Sequence, residues 1–425
     1  MGGFVCSRII LAIVISFFLA TALFAEEGGP HEPTGPIALH DAESLARTRS
    51  PELRALSLEI RAKEAVLLQA DFRSNPTLNA DMQDIDSSNR QTNLLLGQLI
   101  EMGDKRTQRR HLAALERDLA LWDYEAKQIE LMAQTDQAFF SLLSAQEQVE
   151  LLGELAQLAQ QVALTVAERV KAGKVSPIEE TKTQIALSSA RIEMDRAGRD
   201  VEVARKRLTS MWGGATPLFT RATGEMGPLS AIPPLSALVL RLPHHPELAR
   251  WDTEMLRRRT AVDLEKSKVV PDLTITGGIR WYQASDDPTY VTGLSFPLPI
   301  FNVNQGGIEE AQTRLVQGEE EKRAAELRMS TALDTAYQSL LSAHAEVTAL
   351  RDTILPAAQS AFDATNEGYR LGKFGLLDLL DAQRTLFGMK AQYLRVRTDA
   401  QQAVAEVERL IGGRLNKIQE EGEIQ

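Results

Sequence analysis

Cysteine is all but missing from this 425-residue chain, whose single example, Cys6, stands ahead of an apolar run. Once a leading segment containing it is removed, the chain can hold neither a disulfide framework nor a cysteine metal site. Cys6 is also misplaced to be the acylated first residue of a mature lipoprotein. Histidine is scarce too: those at 31, 40, 111 and 344 are scattered, and the adjacent pair His244-His245 lacks the spacing of a metal site and reads as ordinary loop histidines. No nucleophile elbow, phosphate loop or zinc motif occurs. Glu309-Glu310 and the run Glu319 to Glu321 read as solvated helix faces, so neither an enzymatic site nor a cofactor is expected. A net charge of −11 argues against a nucleic-acid partner. Beyond the first 25 residues no apolar run approaches the length of a transmembrane helix, so any membrane crossing must use β-strands.

What is present is enough to fold: 44% of residues are hydrophobic and 25% charged. Residues 1–25 carry Arg8, an apolar run from Ile9 to Phe24 and small residues at Ala20, Ala22 and Ala25, the pattern of a secretory signal peptide. The rest repeats itself. Pro51-Glu52-Leu53 through Pro76-Thr77-Leu78 aligns without gaps on Pro246-Glu247-Leu248 through Pro271-Asp272-Leu273, and Gly173-Lys174 through Gly213-Gly214 aligns on Gly372-Lys373 through Gly412-Gly413. The chain divides into a first repeat (26–212), a Gly- and Pro-containing connector (213–234), a second repeat (235–413) and a polar tail (414–425).

Each repeat predicts the same elements. A helix over about 39–73 or 235–268 ends before a proline, and two alternating strands follow. Leu78, Ala80 and Met82 interleave with Asn79, Asp81 and Gln83; Leu273, Ile275, Ile279 and Trp281 interleave with Thr274, Thr276, Arg280 and Tyr282. Polar turns at 86–90 and 285–288 separate the strands. Long helical patterns then cover about 105–171 and 306–371. In the first, Leu112, Leu115, Leu119, Trp122, Ile129, Met132, Phe140 and Leu143 recur at helical spacing, and Leu151 to Val170 continue the stripe. A helix of that length spans about 100 Å, more than any compact domain needs. After Gly173 and Gly372 a second helix returns, over 177–211 and 376–411. Two repeats supply four strands, whereas a membrane barrel needs about eight or more to close and leave no edge in lipid. The chain must therefore oligomerise. The expected fold is mainly α with a β-barrel part: a helical barrel continuing a barrel that a symmetric trimer completes.

Two junction phrases carry a resemblance. Leu294-Ser295-Phe296-Pro297-Leu298-Pro299-Ile300-Phe301-Asn302-Val303-Asn304-Gln305-Gly306 and Gln98-Leu99-Ile100-Glu101-Met102-Gly103-Asp104-Lys105-Arg106 resemble the strand-to-helix junctions of TolC-like outer-membrane efflux proteins, closest to the heavy-metal branch of the CzcC and CusC type. The resemblance implies a homotrimer set in outer-membrane lipid and crossing the periplasm. It would join a periplasmic adaptor and an inner-membrane pump of the resistance-nodulation-division type, as a passive exit duct for metal cations. Alternatives are a duct for drugs or secreted polypeptides, or a structural periplasmic coiled coil.

The resemblance also implies a periplasmic gate. Gly372-Lys373-Phe374-Gly375-Leu376-Leu377-Asp378-Leu379-Leu380-Asp381-Ala382 matches the family phrase whose two acidic residues ring the closed aperture. Asp378 and Asp381, three apart, share a helical face, although acidic residues near a helix N-terminus are favourable in any case. Tyr369 and Glu179 match positions that link neighbouring helices in the closed state. The basic residue that assists this link elsewhere is replaced by Phe374, so the latch is expected to differ. Gly173, Lys174, Val175 and Ser176, with Gly372, Lys373, Phe374 and Gly375, would form the tips that meet the adaptor.

Overall fold

The computed structural model describes residues 32–85, 90–227, 232–283 and 287–416. The expected signal peptide, the tips of both strand turns and most of the polar tail lie outside the described residues.

Each repeat opens with a pair of helices where one was expected. Helices α1 (Leu39–Arg49) and α2 (Pro51–Ala70) part at Ser50. In the second repeat α5 (Leu235–Val239), a 3-10 turn (Leu242–His244) and α6 (Pro246–Ser267) follow one another. The cause is proline, whose ring excludes the residue before it from helical geometry: Ser50 and His245 are extended, with ψ of 125° and 135°. Pro51 and Pro246 then occupy first-turn positions, where no donor is needed. His245 is a cap rather than a loop residue, because its Nδ1 accepts the Glu247 backbone N–H at 3.2 Å. Burial holds its imidazole below the ordinary pKa, keeping the ring neutral as that cap requires.

Strands β1 (Thr77–Gln83), β2 (Gln91–Ile100), β3 (Leu273–Tyr282) and β4 (Asp287–Ser295) make one antiparallel sheet in chain order. The β2–β3 pairing joins the repeats, and β1 and β4 form its edges. Alternation gives the sheet two unlike faces. Leu78 faces Leu96, Leu94 faces Ile279, Ile279 faces Tyr290 and Ile275 faces Leu294, all exposed on one side with Met82 and Trp281. Asn79, Asp81, Gln83, Asn93, Thr276 and Arg280 alternate with them on the other. No helix among the described residues is long and apolar enough to cross a membrane, whereas this sheet has the apolar outer face of a membrane strand.

Adjacent glycines in β3 test the pairing. A Cβ on Gly278 would lie 2.1 Å from the Leu94 carbonyl oxygen, whereas one on Gly277 would meet nothing within 4 Å. Gly278→Val should therefore break the joint between repeats and remove most of the protein from the outer-membrane fraction. Gly277→Val, on the apolar face, should leave the yield near normal; equal yields would refute this account of the joint.

The strands feed α3 (Lys105–Lys171), 67 residues or about 100 Å long, and α7 (Gln305–Ala349). Asp104 and Asn304, at the two junctions, share a left-handed backbone with φ of 61° and 58°. The single helix expected over 306–371 is interrupted by a π-helical turn, Leu350–Ile354, before α8 (Leu355–Arg370). Pro356 accounts for it: its ring crowds the carbonyl of Asp352 and supplies no donor to it, and a wider turn relieves the clash. The returning helices are α4 (Pro177–Ser210) and α9 (Leu376–Ile411).

Equivalent cores form where the returning helices α4 and α9 end, beside the middle of α3 and the later half of α7. One gathers Leu45, Phe139, Leu142, Leu208 and Trp212, the other Leu238, Leu333, Leu340, Val407 and Leu410. The connector is part of the first core, because Phe219, Ala222 and Met226 are buried in it. Its backbone pairs with the segment just ahead of α1 through Ile37 N–H to Arg221 O at 2.9 Å and Thr223 N–H to Ile37 O at 2.9 Å. Nearby, Arg414, the residue just past the second repeat, ties the two repeats together. Its guanidinium donates to Asp136 of α3 at 2.6 Å, to Glu408 of α9 at 2.8 Å and to Glu43 of α1. Asp136 is 2% exposed, and its Oδ1 has no hydrogen-bond partner among the described residues. Burial drives its carboxyl up to about 7 against the pull of Arg414, with Glu43 adding to the rise.

Candidate functional site

The two helical hairpins end in matching turns. Gly173 and Gly372 adopt left-handed φ of +66° and +74°, which glycine reaches without a Cβ penalty. Each turn closes the preceding helix in the same way. Gly173 N–H reaches Val170 O at 2.9 Å and Lys174 N–H reaches Arg169 O at 2.9 Å; Gly372 N–H reaches Tyr369 O at 3.1 Å and Lys373 N–H reaches Gly368 O at 2.8 Å. Ser176 Oγ then accepts from Ile178 N–H at 3.4 Å to start α4, while α9 starts at Gly375. Of the eight tip residues only Val175 is half-buried; Gly173, Lys174, Ser176, Gly372, Lys373, Phe374 and Gly375 are exposed.

Beneath the tips the repeats pack on one another. Leu151, Val162 and Val166 of α3 meet Phe362 and Tyr369 of α8 and Leu376, Leu379 and Leu386 of α9. Burial of Leu376, Leu379 and Gln383 turns the opposite face of α9 outward, and both Asp378 and Asp381 are exposed on it. Asp378 has a local task as well, since its Oδ2 accepts the Gly375 N–H at 2.9 Å and so caps the helix. The carboxylates are thus presented together on one helix, with Asp378 held at the helix start and Asp381 one turn deeper.

The structure does not bring Glu179 and Tyr369 into a bond within the chain. Glu179 is half-buried on the first turn of α4, and its backbone N–H closes on Ser176 O at 2.9 Å. Tyr369 is 5% exposed, and its hydroxyl has no hydrogen-bond partner among the described residues. Instead, Arg169 of α3 lies over the tyrosine ring, its guanidinium carbon 4.9 Å from the centroid. Phe374 packs against Gly368 so closely that a Cβ there would lie 2.1 Å from its ring. A cation from the first repeat thus accompanies Tyr369, while Phe374 fills space beside Gly368. Sequence reasoning overlooked Arg169. Its signal was positional: it lies one turn before Gly173, as Gly368-Tyr369 lie one turn before Gly372. A second tie crosses the repeats farther along, where Lys390 of α9 pairs with Glu154 of α3 at 3.3 Å.

The described residues hold no group of three or more His, Cys, Asp or Glu side chains arranged to bind a metal ion. The chemistry available at this end is electrostatic and mechanical: exposed carboxylates, turns of fixed geometry and a packed seam between two hairpins.

Comparison with known proteins follows the same division. Residues 43–214 and 238–413 each match the outer membrane efflux protein family. Among curated proteins, the cobalt-zinc-cadmium resistance protein CzcC of Cupriavidus metallidurans is 34% identical over 90% of this chain and 92% of its own length. The nickel-cobalt-cadmium resistance protein NccC of Alcaligenes xylosoxydans xylosoxydans is 27% identical over 74% of this chain and 70% of its own. The solved structure of CusC superposes with a TM-score of 0.74 at 16% identity, covering 88% of this chain and 92% of that one. With both repeats matched and the TolC-like architecture reproduced, the chain belongs to the outer membrane efflux protein family.

Proposed function

We propose that this chain is the outer-membrane duct of a tripartite system that expels heavy-metal cations, assembled as a homotrimer and joined to an inner-membrane pump through a periplasmic adaptor. The observation that carries the duct is the two-faced sheet with unpaired edges β1 and β4, continuous with helices about 100 Å long. One chain cannot close this sheet, and a threefold ring supplies enough strands for a barrel with an aqueous lumen. The helices then extend the lumen across the periplasm, and the tips at Gly173–Ser176 and Gly372–Gly375 are the surfaces offered to the adaptor. Transport through the duct is passive. Asp378 and Asp381 would line its narrow end as acidic rings, and the seam around Tyr369 and Arg169, with Glu179 of α4, would hold that end closed.

The choice of metal cations is supported by the 34% identity to the cobalt-zinc-cadmium resistance protein over nearly the whole of both chains. Its test is deletion in the native host. Sensitivity to cobalt, zinc or cadmium should rise, and the wild-type chain supplied in trans should reverse it; copper and silver extend the panel. Unchanged metal tolerance with altered tolerance to organic drugs would transfer the duct to another cargo.

A further inference from the structure

The four strands carry only three formal charges, Asp81, Arg280 and Asp287, and two of them lie in one cross-strand row of the polar face. Asp81 of β1 stands opposite Asn93 of β2, Asn93 opposite Arg280 of β3, and Arg280 opposite Thr289 of β4. Hydrogen bonds run along the row. Arg280 Nε donates to Asn93 Oδ1 at 2.8 Å, and Asn93 Nδ2 donates to Asp81 Oδ2 at 2.7 Å. A guanidinium only donates and a carboxylate only accepts, so the amide orientation is dictated by its neighbours. Asn93, 3% exposed, is the buried link between the two charges. The row lies two residues from the hairpin ends Gln83–Gln91 and Tyr282–Asp287, about 7 Å of strand rise from the edge remote from the helices.

We propose that Asp81, Asn93 and Arg280 form a charge-balanced girdle on the lumen wall near the outer mouth, in which Asp81 and Arg280 offset one another in setting the ion preference of the barrel. The proposal rests on the reading of this sheet as one part of a closed barrel. An arginine ring alone on such a wall would repel the cations that the duct discharges, because low-dielectric walls focus its field into the lumen. With Asp81 two strands away and coupled through Asn93, a passing ion meets a dipole along the wall, whose field falls off faster than that of a lone charge. The apolar face offers no such role, since its strand residues carry no formal charge: Thr92 and Thr292 are exposed there among hydrocarbon and aromatic side chains.

The test is reversal potential in planar bilayers under a potassium chloride gradient, using the full mature chain. Recording in an Asp378→Asn, Asp381→Asn background as well as in wild type keeps the periplasmic end from dominating the selectivity. Asp81→Asn should lower the potassium-to-chloride permeability ratio by about twofold or more, and Arg280→Gln should raise it by a similar factor. Arg280→Lys should stay near the parent. Either neutralising variant suffices if the other does not insert. Conducting pores with unmoved ratios, or ratios that move in the same direction, would overturn the girdle. So would loss of the pore in both variants with Arg280→Lys intact, which would give the row a purely structural role. A wild-type chain that forms no conducting pore would instead refute the barrel reading.

Discussion

Replacing Asp378 and Asp381 together by asparagine should lower the cation selectivity of the duct by roughly tenfold and weaken its block by multivalent cations applied from the periplasmic side. The size follows from the proposed symmetry: in a homotrimer each substitution is repeated in every subunit, so each proposed ring is neutralised. Asparagine isolates charge from shape. Asp378 caps α9 through the Gly375 N–H, and an asparagine amide oxygen can still accept that bond. Helix geometry should therefore persist while the field disappears. The single variants separate the rings, with Asp381→Asn acting through charge alone because its carboxylate is exposed on the outward face. Reversal potentials under a salt gradient and the midpoint of block by a trivalent cation are the measurements. Selectivity unchanged in the double variant would move these residues out of the lumen and leave Asp378 as a helix cap only.

Much of the fold was legible in the sequence because it is written in periodicity and punctuation. The apolar stripe marked α3 from Lys105 to Lys171, and Gly173 and Gly372 marked both tips because a left-handed turn position selects glycine. Strand alternation gave the two faces of the sheet, since a period of two survives whatever packs against it. What was less legible depends on contacts between distant segments. The stripe took in Phe140 and Leu143, and Leu143 is buried with Phe140 half-buried against the same core, but the deeply buried Phe139 and Leu142 lie off it, because the middle of α3 is covered by α1, by α4 and by the connector as well. A helix covered on several sides loses the one-faced signal by which it is read.

The helix interruptions are a different case. Pro51, Pro246 and Pro356 each stood in the sequence inside or beside a helical pattern, and the third acts differently from the first two. The first two start new helices after an extended residue, and the third is absorbed by a π turn in a helix that continues. Local chemistry says that a donor is lost; the surrounding packing decides whether the helix stops or widens. The site divides along the same line. Asp378 and Asp381 could be found from spacing and family phrase, while the Arg169–Tyr369 stack joins residues from different repeats and needs the assembled seam. Its arginine takes no part in the hydrophobic pattern, so the stripe passes it by.

The clasp around Arg414 was equally hidden, and it gives the second large effect: the stability of the wild-type duct should fall as pH rises from about 4 to about 7 through Asp136, and Asp136→Asn should abolish that component. An ordinary aspartate titrates near 3.8, whereas burial lifts Asp136 to about 7, so between these limits the folded chain holds a proton that the unfolded chain has released. Its stabilising share is fully present below the unfolded pKa and is lost as pH climbs through the folded one. Around it stand Glu43 and Arg47 of α1, Glu125 of α3, Glu408 and Arg409 of α9, and Arg414, lining a cavity of about 520 Å³. Burial opposes the charge of Arg414, but Asp136, Glu408 and Glu43 together hold its pKa above the ordinary value, so it stays cationic throughout. With Asp136 ionised, three carboxylates crowd one guanidinium; with it protonated, the excess negative charge is halved. His245 works in the opposite direction: its lowered pKa withdraws stability as pH falls, and it is common to both proteins. The difference between wild type and Asp136→Asn therefore isolates the clasp. Melting temperatures at a fixed scan rate in detergent should show the variant gaining on wild type between pH 5 and pH 8, by an amount on the order of a few kcal/mol. Arg414→Met should cost stability most at high pH, where it leaves three buried or half-buried carboxylates without their cation. A difference between wild type and Asp136→Asn that stays constant across this range would mean that Asp136 is ionised throughout, and the proton would have no part in holding the two repeats together.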